Sequence, residues 1–185
     1  MTISPEDLVF IDCEATGLAR PSHPISIGLA WIDGRSSLRL VRPHASWSDI
    51  AWEAEATKIH GLTEDHVRKN GHDVVDVAEW LNSEIDGRIA LSDAPQFDGY
   101  WLSFLFGAAL VQPKIRLYNS DLSMLETLAL RWGPNRSQAI LQEIRNSTLK
   151  NYPHTHRADE DALSMAMTFR ACLGLPGLRG AGHKG

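Results

Sequence analysis

The sequence predicts an α/β domain in which a mixed β-sheet is flanked by helices. The chain opens with three extended runs, residues 8–13, 25–32 and 37–42, joined by short turn-rich pieces. Consecutive strands on short connections form an antiparallel meander. Beyond Pro43 the apolar period lengthens to helical spacing, and short strand-like runs alternate with it, the pattern of a sheet covered by helices. A length of 185 residues, 43% of them apolar and 22% charged, suits one domain with a full core.

Each element has a local reason. Leu8 to Ile11 are strand formers, and Arg20-Pro21-Ser22-His23-Pro24 separates them from the second run. Asp33-Gly34-Arg35 turns the second run into the third. Residues 50–60 and 63–70 read as helices, after which Val74, Val77, Ala78, Leu81 and Ile85 repeat at helix spacing. Residues 88–92 form a short apolar strand leading into a helix over 95–110, with Phe97, Trp101, Leu105 and Ala108 on one side. Residues 115–118 are the last strand, followed by helices over 122–132, 138–145 and 159–173. Neither a repeat nor a linker interrupts residues 1–173, which read as a single domain. Residues 174–185 carry five glycines and no apolar period, so a flexible tail is expected there.

Composition narrows the class. No apolar stretch approaches the roughly 20 residues that span a bilayer, and residues 1–7 lack the basic-then-apolar layout of a signal peptide. A soluble, cytoplasmic protein without membrane contact is expected. Cys13 and Cys172 stand in apolar surroundings with no zinc spacing, and read as small core residues of a reducing compartment. The net charge of −5 argues against coating duplex DNA, whose phosphates are gripped by lysine and arginine. It leaves room for an enzyme that holds a few nucleotides, since a carboxylate cluster contributes negative charge that bound divalent cations offset.

Three acidic segments carry the chemistry. Phe10-Ile11-Asp12-Cys13-Glu14-Ala15-Thr16-Gly17-Leu18 sets two carboxylates at i and i+2 at the end of a strand, hence on one face. Carboxylates held that close either share a raised pKa or bind a metal; an exposed acidic strand end is the plainer reading. Asp98, beside Phe97, falls in the first turn of a helix after a strand, where an acid also complements the helix dipole. His156-Arg157-Ala158-Asp159-Glu160-Asp161-Ala162 places a histidine five residues before an aspartate at a helix start, and an acid-rich first turn explains that equally.

Taken together and in this order, the three segments resemble the DEDDh exonucleases, which include oligoribonuclease, ribonuclease T and polymerase proofreading exonucleases. Ala56-Thr57-Lys58-Ile59-His60-Gly61-Leu62-Thr63 is similar to a further segment of that family. The resemblance covers about residues 8–173. It implies a ribonuclease H-like fold with a mixed five-stranded sheet, and 3′–5′ exonuclease chemistry on single-stranded DNA or short RNA with two divalent ions. Oxygen ligands suit Mg²⁺ or Mn²⁺. Carried over by position, Asp12, Glu14, Asp98 and Asp161 are the metal-binding carboxylates, and His156 is the general base, histidine being the residue type suited to proton transfer near neutrality. Thr16, Gly17, Leu18 and His60 would meet the terminal nucleotide. The expected partner is the 3′ end of a single-stranded nucleic acid or a nucleotide, and the resemblance admits a homodimer. A non-catalytic nucleic-acid-binding or regulatory module of the same fold, and a proofreading module acting on a polymerase, are the alternative functions.

Several positions stay open at this level. His154 and Asp159 have the same interval as His156 and Asp161; only the family's small positions at Ala158 and Ala162 favour the second pair. Asp93 stands where members often carry asparagine, and is either a helix cap before Pro95 or an added charge at the site. Ala15 replaces a common threonine. Leu18 is a wedge against a base or ordinary core, and His60 a site residue or a satisfied turn residue. Trp101 and Phe104 read first as core, with base stacking as the alternative.

Overall fold

The computed structural model describes residues 4–178. Its elements run β1 (Leu8–Ala15), β2 (Pro24–Trp31), β3 (Ser36–Leu40), α1 (Ala54–His60), α2 (Glu64–Asn70), α3 (Val74–Ile85), β4 (Ile89–Ser92), α4 (Pro95–Ala109), β5 (Leu117–Asn119), α5 (Ser120–Trp132), α6 (Pro134–Thr148) and α7 (Ala158–Cys172). The strands form one five-stranded sheet in the order β3-β2-β1-β4-β5. β1, β2 and β3 pair antiparallel, while β4 joins β1 and β5 joins β4 in parallel. The sheet is therefore mixed, and β1 lies at its centre.

Strand period sorts β1 between two cores. Val9, Ile11, Cys13 and Ala15 pack on one side with Val77 and Leu81 of α3 and Leu105 of α4. Leu8 and Phe10 point the other way, into Met124, Leu128, Leu141, Ala162 and Phe169 of α5, α6 and α7. Continuing that alternation brings Asp12 and Glu14 to the α7 side of the sheet, beyond the last apolar residue of that row. Burial pushes the Cys13 thiol well above its usual range, so it acts as a small core residue.

Some boundaries differ from the sequence reading for tertiary reasons. The helix expected over residues 50–60 begins only at Ala54. Before it, Glu53 N donates to Thr16 O at 2.8 Å and Trp52 Nε1 to Thr57 Oγ1 at 2.9 Å, tying an extended link to the turn after β1. β5 starts at Leu117 because pairing with β4 selects Leu117, Tyr118 and Asn119. α6 begins earlier than expected, at Pro134, a residue favoured in a first helical turn. Leu175 and Leu178 pack against the α7-side core, and Arg170 Nε donates to Pro176 O at 2.8 Å. The first part of the expected tail is thus held on the body; residues 179–185 lie outside the described residues.

Gly28 brings the layers together at the point that matters for function. It is the β2 partner of Asp12, and a Cβ there would lie 2.1 Å from the Ala158 backbone carbon at the start of α7. A glycine inside a strand marks such an approach of backbone to backbone. Gly28→Ala should therefore lower the unfolding free energy by about 1–3 kcal/mol and displace the helix that carries Asp161. Urea denaturation measures the first effect and catalytic turnover the second. An unchanged midpoint would show that α7 moves away freely.

Candidate active site

Three elements converge on the end of β1. Asp12 and Glu14 come from β1, Asp98 from the first turn of α4 and Asp161 from the first turn of α7. Asp98 and Asp161 are only 2% and 4% exposed. Ligand oxygens of Asp12, Glu14 and Asp161 lie within 4.8 Å of one another, and so do those of Asp12, Asp93 and Asp98. Asp12 belongs to both groups. Ser92 Oγ donates a short hydrogen bond to Asp98 Oδ2 and accepts from Ala94 N at 3.0 Å, which aims the Asp98 carboxylate from the end of β4. Thr155 N donates to Asp161 Oδ1 at 2.9 Å, whereas Asp161 Oδ2 is buried without a partner.

The electrostatics call for a cation. Burial, then Asp98, Glu14 and Asp161, raise Asp12 well above the usual carboxylate range. Burial, then Asp161 and Asp98, push Glu14 up to about 8. Burial outweighs the Ser92 hydrogen bond to push Asp98 up to about 7, with Asp93 adding to the rise. A buried oxygen lacking a partner and a set of mutually repelling carboxylates fit hard divalent cations with oxygen ligands.

That crowding has a pH signature. Without a divalent cation, the folded site holds protons more tightly than the unfolded chain, whose carboxylates titrate near pH 4. From there up to about 8, where Glu14 loses its proton, stability falls as pH rises, because the folded state binds the extra protons. Metal-free protein should therefore melt at a lower Tm at pH 8 than at pH 5.5, and Mg²⁺ should raise Tm more at the higher pH. A Tm independent of both pH and Mg²⁺ would contradict this account of the cluster.

A cavity of about 310 Å³ adjoins the carboxylates. Asp12, Glu14, Asp98, Asp161, His154 and His156 line it, together with Gly17, Leu18, Ile59, His60, Phe97 and Trp101. His156 adopts a left-handed backbone, φ 57°, uncommon for a residue other than glycine and costly unless its surroundings enforce it. His154 Nδ1 lies 3.1 Å from Asp161 Oδ1, and the two imidazoles meet edge to face at 4.3 Å. Asp161 joins the acidic set, while Asp159 lies 3.8 Å from Arg157 Nη2. Geometry thus separates the two aspartates that spacing left equivalent, and leaves both histidines beside the cavity.

The remaining expected residues divide. Leu18 is 67% exposed at the cavity, which rules out a core role. Gly17 also lines the cavity, whereas Thr16 is fully buried and outside its lining. Thr16 Oγ1 accepts from His23 N at 3.2 Å, and its backbone bonds to His23 O and Glu53 N, so the threonine braces the turn. His60 is both a turn residue and a cavity residue. Its Nδ1 accepts from Leu62 N at 3.0 Å, which leaves the proton of the neutral ring on Nε2, buried without a hydrogen-bond partner. Asp93 is no cap: Ala94 holds the N-cap position of α4 and makes no side-chain cap bond. Trp101 is 6% exposed and donates from Nε1 to Ser22 Oγ at 3.0 Å, as a core residue should, with one edge on the cavity. Phe104 packs on Trp47 and Tyr100.

Sequence reasoning missed Ser92 and Gly28. A serine at a strand end carries no signal of the carboxylate it will orient. The glycine within the apolar run 25–32 did offer one, as the mark of a close approach.

The mixed five-stranded sheet flanked by helices is that of a DEDD-type 3′–5′ exonuclease domain with ribonuclease H-like architecture. The chain belongs to the exonuclease family, whose RNase_T model matches residues 9–169. Among solved structures, it is similar to E. coli exonuclease I in complex with a dT13 oligonucleotide, with 15% identity and a TM-score of 0.65 over 89% of this chain and 40% of that one. The zinc-bound form of the E. coli exonuclease I complex with single-stranded DNA gives 17% identity and a TM-score of 0.62, over 90% of this chain and 39% of that one. At such identities the likeness is one of fold, and this chain spans two fifths or less of those proteins. No curated protein matches it in sequence. The exonuclease fold and the acidic cluster imply dependence on a divalent cation.

Proposed function

We propose that the protein removes mononucleotides from the free 3′ end of single-stranded DNA or short RNA, using two Mg²⁺ or Mn²⁺ ions. The observation that carries this reading is the pair of carboxylate groups sharing Asp12 beside a cavity of about 310 Å³, at the small end of the range for small-molecule sites. Asp12, Glu14 and Asp161 would hold one ion, and Asp12 with Asp98 the other. When bound, the ions would stabilise charge on the attacking and leaving oxygens of an in-line phosphoryl displacement. Gly17 and Leu18 offer a backbone surface and an exposed apolar side chain to the terminal nucleotide, and His60 offers its Nε2 proton. His156 takes the proton of the attacking water, the role for which histidine is the side chain most often used.

Single strands follow from the charge. With a net charge of −5 the protein has little with which to neutralise the phosphates of a duplex. Purified protein with Mg²⁺ or Mn²⁺ should shorten a 5′-labelled linear strand stepwise from its 3′ end and leave a closed-circular strand of the same sequence intact. Equal rates on the circle and the linear strand would refute an exonuclease.

A further inference from the structure

Glu53 occupies the N-cap position of α1 yet makes no side-chain cap bond. Its backbone N–H is tied to Thr16 O at 2.8 Å, which fixes the residue to the turn that follows Asp12 and Glu14. The side chain lies over Gly17: a Cβ added there would sit 2.2 Å from Glu53 Cδ and 2.4 Å from Oε1. The carboxylate therefore rests on bare backbone, in room that only a glycine leaves. Glu53, Gly17 and Leu18 line the same cavity as the acidic cluster. Glu55, another acid at this cavity, pairs with Lys58 at 2.6 Å, whereas Glu53 takes part in none of the ion pairs among the described residues. Nor does it belong to the carboxylate groups that could share a metal, so its charge stays available to a ligand.

We propose that Glu53 reads the chemical form of the strand's 3′ terminus, accepting a hydrogen bond from the terminal 3′-hydroxyl and turning away an end that carries a 3′-phosphate. This rests on the cavity being the terminal-nucleotide site of a 3′ exonuclease, and it names the residue that decides which ends enter. An ionised carboxylate only accepts hydrogen bonds, and a sugar hydroxyl supplies the donor. A phosphate monoester is close to doubly charged at neutral pH and offers no donor, so beside Glu53 it meets like charge in a partly desolvated site. The ends left by hydrolysis on the 5′ side of each phosphate carry a 3′-hydroxyl, so every turn of the reaction regenerates the form that Glu53 accepts.

The test uses the whole protein at saturating Mg²⁺ and 5′-labelled strands that differ only in a 3′-hydroxyl or 3′-phosphate end. The wild type should favour the hydroxyl end. Glu53→Gln, which keeps the size of the side chain and removes its charge, should raise kcat/KM on the phosphate end by about tenfold or more, the scale of one relieved like-charge contact. It should also lower kcat/KM on the hydroxyl end, so that the preference narrows from both sides. Glu53→Ala should narrow it in the same direction, and a gain on the phosphate end cannot come from misfolding. If both variants keep the wild-type ratio, or the wild type cleaves the two ends equally, this inference is overturned while the exonuclease reading stands. Wild-type protein inert toward both ends removes that reading and this one with it.

Discussion

Asp12→Ala should lower exonuclease turnover by roughly 10³–10⁵-fold, the several kcal/mol that metal-ion catalysis contributes, while the protein stays folded. Asp12 alone belongs to both groups of converging carboxylates, so its loss removes a ligand from each. It is also the residue on which burial and four other carboxylates bear, Asp98 first among them. Removing it relieves repulsion in the metal-free protein, whose Tm should hold or rise. Calorimetric titration with Mn²⁺ and a thermal melt without metal separate loss of ion binding from loss of fold. Excess chelator should silence the wild type to the same degree. Wild-type turnover in chelator, or in the variant, would end the metal-dependent reading.

The second large effect distinguishes the two histidines. His156→Ala should slow single-turnover cleavage by roughly 10²–10⁴-fold, the contribution of a positioned proton acceptor, with metal affinity kept because the carboxylates remain. His154→Ala should cost less than about tenfold in rate, because its structural partner is Asp161, at 3.1 Å, and a partly exposed pair of that kind is weak. Its effect should fall on metal affinity, through a less well oriented Asp161. Rates from about pH 5.5 to 8.5 add a further criterion: the limb of the profile set by the general base should vanish in His156→Ala alone. A severe loss in His154→Ala beside a near-normal His156→Ala would transfer the proton to His154. It would not transfer the metal to Asp159, because Asp161 is the aspartate that meets Asp12 and Glu14.

Much of this molecule was legible in the chain because its signals are local and periodic. Alternation in β1 assigned Asp12 and Glu14 to one face, and the packing of Phe10 and Ile11 into opposite cores repeats that alternation. The strands, most of the helices and the sheet's mixed character followed from the same kind of periodicity. Ends were less legible where long-range contacts compete with local preference. The late start of α1 depends on a hydrogen bond from Glu53 to a turn far away in sequence, and nothing local to residues 50–54 announces it.

By itself the sequence determined the family and the order of the motifs, and it nominated Asp12, Glu14 and Asp98 with a choice between Asp159 and Asp161, because residue type and spacing along one strand or one helical turn are properties of the chain. Only the tertiary structure decided between Asp159 and Asp161, since both occupy the first turn of α7 and just one of them reaches β1 when Gly28 lets that helix settle on β2. It likewise turned Thr16 into a brace, brought Leu18 out to the cavity and laid Glu53 on Gly17. Such outcomes depend on contacts between segments tens of residues apart, where distance in space is set by how sheet and helices pack and not by any spacing along the chain.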